Sequence, residues 1–170
     1  MTYRTKTYIS ADWDGDQDAV EQLRKWNNNH YLSLSFTDAH DLTQAHDSSL
    51  NCSIKKSLAI RLNASKTFIL IVGDKTKTVR SGSCEYCDSK NSWTGACAHG
   101  YSIDNRSYIE YECEKAVNDD LKIVVLYNDV TVDKEKCPNV VKHLGTHVAM
   151  CYRKNDELYW NYQAVKNVLE

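Results

Sequence analysis

Two groups of side chains in this chain have types and spacings suited to chemistry. The first is Cys84-Glu85-Tyr86-Cys87, followed ten residues on by Cys97-Ala98-His99. A Cys-x-x-Cys with a third cysteine and a histidine close behind has the composition of a closed Cys₃His zinc site. Cys84, Cys87, Cys97 and His99 would leave the metal no open position, so such a zinc would be structural. Free thiols or a redox pair are the alternative reading of the same residues. The second group lies in Tyr108-Ile109-Glu110-Tyr111-Glu112-Cys113-Glu114-Lys115-Ala116. At about 100° per residue, Ile109, Cys113 and Ala116 form the buried stripe of a helix. Glu110 and Glu114 point away from that stripe, as solvated acids should. Tyr108 and Glu112 instead border it, one turn apart. A carboxylate there is costly unless paired or hydrogen-bonded, which marks Glu112 as a candidate for electrostatic work. The plainer alternative is an acid at a helix edge that simply reaches solvent.

The elements that must position these groups alternate between strand and helix. Lys6 to Ser10 reads as a first strand, ended by the acidic turn Asp12-Trp13-Asp14-Gly15-Asp16. A helix follows, with Asp18 and Glu21 spaced as a capping box and Ala19, Leu23 and Trp26 on one apolar face. Leu32 to Phe36 alternates as a second strand, and Thr37 to Ser48 is a long polar stretch. Leu50, Ile54, Leu58 and Leu62 fall on one side of a further helix. Thr67–Val72 and Leu121–Tyr127 are apolar almost without break, as central parallel strands covered on both faces are. Between them lie a Ser-, Gly- and Asn-rich insertion, residues 78–104, and a helix from about Ser107 to Val117. His147–Tyr152 reads as a last strand, and Tyr159–Leu169 as a closing helix. This pattern predicts one α/β domain over residues 1–170, flavodoxin-like and doubly wound. Its five parallel strands would lie in the order 2-1-3-4-5, with the cysteine-rich insertion added. Ligands of such sheets bind beyond the carboxyl ends of the strands, here from Ser10 through Ala11 and Asp12 to Asp14, from Phe36 through Asp38 to His40, and from Gly73 onward.

Composition narrows the classes of function. With 21 basic and 23 acidic residues the net charge is −2, so nucleic-acid binding through a broad basic surface is not expected. No apolar run is long enough to span a membrane, and Met1-Thr2-Tyr3-Arg4 opens no signal-peptide core. The seven cysteines are therefore read in a reducing cytoplasm, where clustered thiols more often hold metal than form disulfides. No Gly-x-Gly-x-x-Gly is present, so a conventional Rossmann dinucleotide site is not expected. A receiver-type reading suits the acidic turn, but no aspartate directly follows Thr67–Val72; Gly73 intervenes before Asp74.

The opening Tyr8-Ile9-Ser10 with its acidic turn, Phe36-Thr37-Asp38-Ala39, Leu70-Ile71-Val72-Gly73, and Tyr108 through Ala116 before Lys122–Val125 resemble a known family. The chain is similar to TIR-like domains, in particular to the TIR-like subunit of bacterial Thoeris anti-phage defence systems. TIR enzymes carry a Trp-x-x-x-Glu pattern whose glutamate serves NAD cleavage; here Glu112 takes the glutamate position and Tyr108 replaces the tryptophan. The resemblance implies cleavage of the nicotinamide–ribose bond of NAD, yielding a cyclic ADP-ribose-type messenger sensed by a separate effector protein. It also implies assembly with other TIR-like protomers. Physically, positive charge develops on the ribose and a nearby carboxylate stabilises it. Ser10, Ala11, Asp12 and Asp38 could hydrogen-bond the cofactor, and Tyr108 or Trp13 could stack on a ring. A non-catalytic TIR-like interaction module is the rival reading.

Overall fold

The computed structural model describes residues 3–42 and 50–170, so residues 43–49 of the expected polar stretch, and Met1 and Thr2, lie outside the described residues. The core is a four-stranded parallel sheet of β1 (Lys6–Ser10), β2 (Ser65–Val72), β3 (Lys122–Tyr127) and β4 (Thr146–Ala149), in the spatial order β1-β2-β3-β4. Four α-helices, α1 (Gln17–Asn27), α2 (Asn51–Asn63), α3 (Tyr108–Asn118) and α4 (Tyr162–Leu169), lie among the described residues. The register aligns Tyr8 with Phe68 and Phe68 with Ile123. Such a mixed α/β sheet is compatible with a flavodoxin-like fold.

Strand alternation divides the core in two. Tyr8, Phe68, Leu70, Val72, Ile123, Val125 and Tyr127 point to one face, where Leu58 and Leu62 of α2 and Ile109, Cys113 and Ala116 of α3 cover them. Ile9, Ile69, Ile71, Val124 and Leu126 point to the other, against Ala19, Val20, Leu23 and Trp26 of α1 and Val165 of α4. Apolar residues are needed at nearly every position of β2 and β3 because both faces are covered.

Three expectations are corrected. Leu32–Phe36 is not a strand. Asn27 grips Phe36 through both backbone groups, donating to its carbonyl at 2.8 Å and accepting from its N–H at 3.0 Å. Ser35 meanwhile takes a left-handed φ of 54°. Those bonds replace the ladder, and among the described residues the edge beside β1 carries the single bridge between Thr7 and Asp38. Second, the expected last strand divides. β4 ends at Ala149, with the Met150 N–H donating to Tyr127 O at 2.8 Å, and β5 (Cys151–Lys154) pairs antiparallel with β6 (Glu157–Trp160). Asn155 and Asp156, at φ 52° and 62°, supply the two left-handed residues that a tight hairpin requires. The closing helix accordingly begins at Tyr162, capped by Asn161. Third, α1 starts earlier than the Asp18–Glu21 spacing predicts. Asp16 occupies the N-cap without a side-chain cap bond; its carboxylate accepts instead from Asn128 at 3.0 Å and from Thr76.

Candidate functional site

Helix α3 begins where the sequence places it, because Ser107 and Glu110 close a reciprocal capping box. Glu110 accepts from the Ser107 N–H at 2.7 Å and pairs with Arg80 at 3.0 Å. It is therefore a structural acid rather than the free, solvated one expected. That start fixes the helix's rotation and turns Glu112 inward, where it is 7% exposed.

What satisfies this buried carboxylate comes from β1. Residues i and i+2 of a strand share a face, so Tyr8 and Ser10 both point at α3. Tyr8 donates its phenol to Glu112 Oε1 at 2.5 Å, and Ser10 donates its hydroxyl to Oε2. Burial raises the Glu112 pKa, and the two donors, with the charges of His40 and Arg61, work against that rise. Tyr8 itself is fully buried, and burial, then the Glu112 charge, push its phenol well above the ordinary value. The sequence places Tyr8 in the opening strand but gives it no role at the site. Its parity with Ser10 on β1 was the available signal.

Glu112 borders a pocket of about 260 Å³ with Ala11, Asp12, Trp13, Tyr108 and Ile109. Ile54, Leu58 and Val79 extend its apolar wall. The structure thus gathers Ala11, Asp12, Tyr108 and Glu112 around one cavity, with Ser10 directly behind the carboxylate. Asp12, 9% exposed, also borders a second pocket of about 380 Å³ beyond β2 and β3, walled by Asp16, Asp74 and Lys136. The smaller pocket is the better site for a planar ring beside a carboxylate, because Trp13 and Tyr108 face it and Glu112 reaches it.

Tyr108 is held in three ways. Its phenol donates to Asn51 Oδ1 at 2.9 Å, its N–H donates to Ser81 O at 2.8 Å, and its ring packs against Gly82. A Cβ on Gly82 would lie 2.5 Å from Tyr108 Cδ1, and Gly82 has φ +92°. Glycine is thus required twice over, for close approach and for backbone conformation. Burial is the main cause of a Tyr108 pKa pushed up to about 12; the neighbouring thiols Cys87, Cys52 and Cys84 add to it.

Asp38 does not border this pocket. It accepts from His40 Nδ1 at 2.7 Å and pairs with Arg24 at 3.2 Å. Burial pushes its carboxyl up, but the His40 hydrogen bonds and the His40 and Arg24 charges outweigh burial and hold it at about 2. Its reach toward the site is indirect. The His40 ring lies 5.3 Å from both the Tyr8 and the Trp13 rings, and the Arg24 guanidinium stands 5.3 Å over Trp13. Asp38 thereby braces Trp13 and Tyr8.

Among the described residues no three His, Cys, Asp or Glu side chains are placed to hold one metal ion, so Cys84, Cys87, Cys97 and His99 are not gathered at one point. Other contacts hold the insertion. Lys55, 5% exposed, donates to the carbonyls of Asp104 at 3.3 Å and Arg106 at 2.7 Å and pairs with the Asp104 carboxylate at 3.1 Å. The Cys84 N–H donates to Asp104 O at 2.9 Å. Cys113 and Cys151, read as apolar core residues, are buried.

Residues 8–82 match the family model described as Thoeris protein ThsB, TIR-like domain. Over those residues the chain is similar to that TIR-like domain. The match takes in Tyr8, Ser10, Asp12, Asp38 and Gly82, and ends before α3 and Glu112. No curated protein matches the chain. Among the described residues no helix is long and apolar enough to cross a membrane.

Proposed function

We propose that this TIR-like chain cleaves the nicotinamide–ribose bond of NAD in anti-phage defence, with Glu112 as the catalytic carboxylate. The observation that carries the reading is a buried carboxylate with both oxygens held by donors from β1, set at the rim of a pocket with aromatic walls. Nicotinamide would lie between Trp13 and Tyr108, placing the ribose toward Glu112 and Asp12. As the glycosidic bond breaks, its electron pair leaves with the pyridine nitrogen, and nicotinamide departs without needing a proton. Positive charge then grows on the ribose, and an ionised Glu112 stabilises it at close range in a partly dry site. Tyr8 and Ser10 keep the carboxylate from swinging away and favour its charged form. Attack by a group of the same nucleotide gives a cyclic ADP-ribose-type messenger, and attack by water gives ADP-ribose. A separate effector protein would sense the messenger, and assembly with other TIR-like protomers fits the family. The flavodoxin-like reading accompanies this proposal, with the segment bridged at Asp38 standing where a fifth, edge strand would run.

The test is mass spectrometry of NAD products in lysates of phage-infected cells carrying either the wild-type chain or Glu112→Gln. Nicotinamide release and an ADP-ribose product in the wild type alone support the proposal. Equal product in both, or none in either while protection from phage persists, favours the non-catalytic interaction module.

A further inference from the structure

The cysteines that do not gather around a metal are still organised. Ser83 O accepts from Tyr86 N at 3.3 Å and Cys84 O accepts from Cys87 N at 3.2 Å, so Cys84–Tyr86 is one turn of 3₁₀ helix. The Ser83 hydroxyl caps it by accepting from Glu85 N at 3.2 Å. In a 3₁₀ turn the side chains at i and i+3 lie in line. Such a turn also brings the two Cα atoms within ~7 Å, in the range a disulfide spans without backbone movement. Cys84 and Cys87 occupy those two positions. Cys84 is buried at 9% exposure and Cys87 is half-buried, so one thiol can reach a disulfide from solvent and the other resolves from within. Both are free thiols here.

We propose that Cys84 and Cys87 form a redox-active dithiol site whose co-substrate is a low-molecular-weight disulfide. The Cys87 thiolate attacks one sulfur of the disulfide RSSR, forming Cys87–S–SR and releasing one thiol, RSH. The Cys84 thiolate then attacks Cys87 sulfur, closing Cys84–S–S–Cys87 and releasing the second RSH. Two protein thiols are oxidised, one disulfide is reduced, and the two thiol protons leave on the two RSH molecules.

The site is joined to the Glu112 pocket through short contacts. Asn51 links the turn to Tyr108, donating to Ser83 O at 3.3 Å and accepting from the Tyr108 phenol at 2.9 Å. Gly82, two residues before Cys84, packs on the Tyr108 ring. Locking the turn therefore acts on the aromatic wall of the pocket. This coupling rests on the proposed function, whereas the disulfide chemistry does not.

The experiment treats the full native chain with oxidised glutathione, blocks remaining thiols with iodoacetamide, and maps tryptic peptides. Residues 81–90 form one such peptide, carrying both cysteines. In the wild type this peptide should appear unalkylated and lighter by two hydrogens, with Cys52 and Cys97 alkylated after denaturation. Cys84→Ser should retain glutathione on Cys87, and Cys87→Ser should leave Cys84 unreacted. Full alkylation of the wild-type peptide, or a bond from either cysteine to another position, overturns the proposal, and this wild-type result stands whether or not the variants fold. A second arm compares NAD affinity of reduced and oxidised protein. A change of about fivefold or more, absent in Cys87→Ser, is expected. Equal affinities with the disulfide formed would overturn the coupling alone. No NAD binding in either form would count against the proposed function instead.

Discussion

Tyr8 donates its phenol to Glu112 at 2.5 Å although the two residues stand 104 positions apart. One comes from the first strand and the other from a helix that follows the insertion. The bond is buried, so it holds both partners to a single geometry. Tyr8→Phe removes one of the two donors that oppose the raised pKa of Glu112. The acidic limb of the rate profile should move to higher pH, and kcat should fall about tenfold with a smaller change in KM. A KM change alone, with the pH profile unmoved, would show that Tyr8 only packs.

Glu112→Gln should lower NAD turnover by about 10²–10³-fold, in the range found when one strong electrostatic contact to a transition state is lost. Its stability should change in the opposite sense. Burial raises the folded-state pKa of Glu112. The protonated form's stabilising contribution is therefore complete below the unfolded value of about 4.3 and is lost as pH rises through the folded one. Glu112→Gln should melt above wild type near pH 8, with the difference shrinking toward about pH 4. Thermal denaturation at the two pH values checks the sign.

Asp38 carries the opposite sign. Its folded pKa of about 2 lies below the unfolded value of about 3.9. Its contribution is present above the unfolded value and is lost as pH falls toward about 2. Asp38→Asn should cost about 1–2 kcal/mol at neutral pH, discounted for the partial exposure of Arg24. Urea melts at about pH 7 and pH 3 should show that difference shrink. Turnover should fall less than in Glu112→Gln, because Asp38 braces the pocket without bordering it.

Gly82→Ala meets the Tyr108 ring and a φ of +92° together. We expect a stability loss of at least about 1 kcal/mol and displacement of the pocket wall. Intrinsic fluorescence and NAD affinity should change together. A substitution that leaves both unchanged would show that the loop at 82 relaxes freely.

Much was written locally in the sequence. The unbroken apolar runs of β2 and β3 announced central strands because both their faces are covered. Ser107 and Glu110 set the start of α3, and a 100° rotation per residue then put Glu112 on its inner edge without any knowledge of the sheet. Other features needed the third dimension. Leu32–Phe36 alternates like a strand, but the Asn27 side chain takes both backbone groups of Phe36, and no local pattern shows that competition. The cysteines have ligand composition, yet Lys55 and the backbone of Asp104 anchor the insertion and leave Cys84 and Cys87 sharing one turn. The sequence by itself determined which residues could be strand, helix cap and inward-facing acid, since those depend on neighbours within a few positions. Only the tertiary structure decided that Tyr8 and Ser10 would hold that acid and that Asp38 would stand behind the pocket, because such partnerships arise when distant segments meet across the sheet.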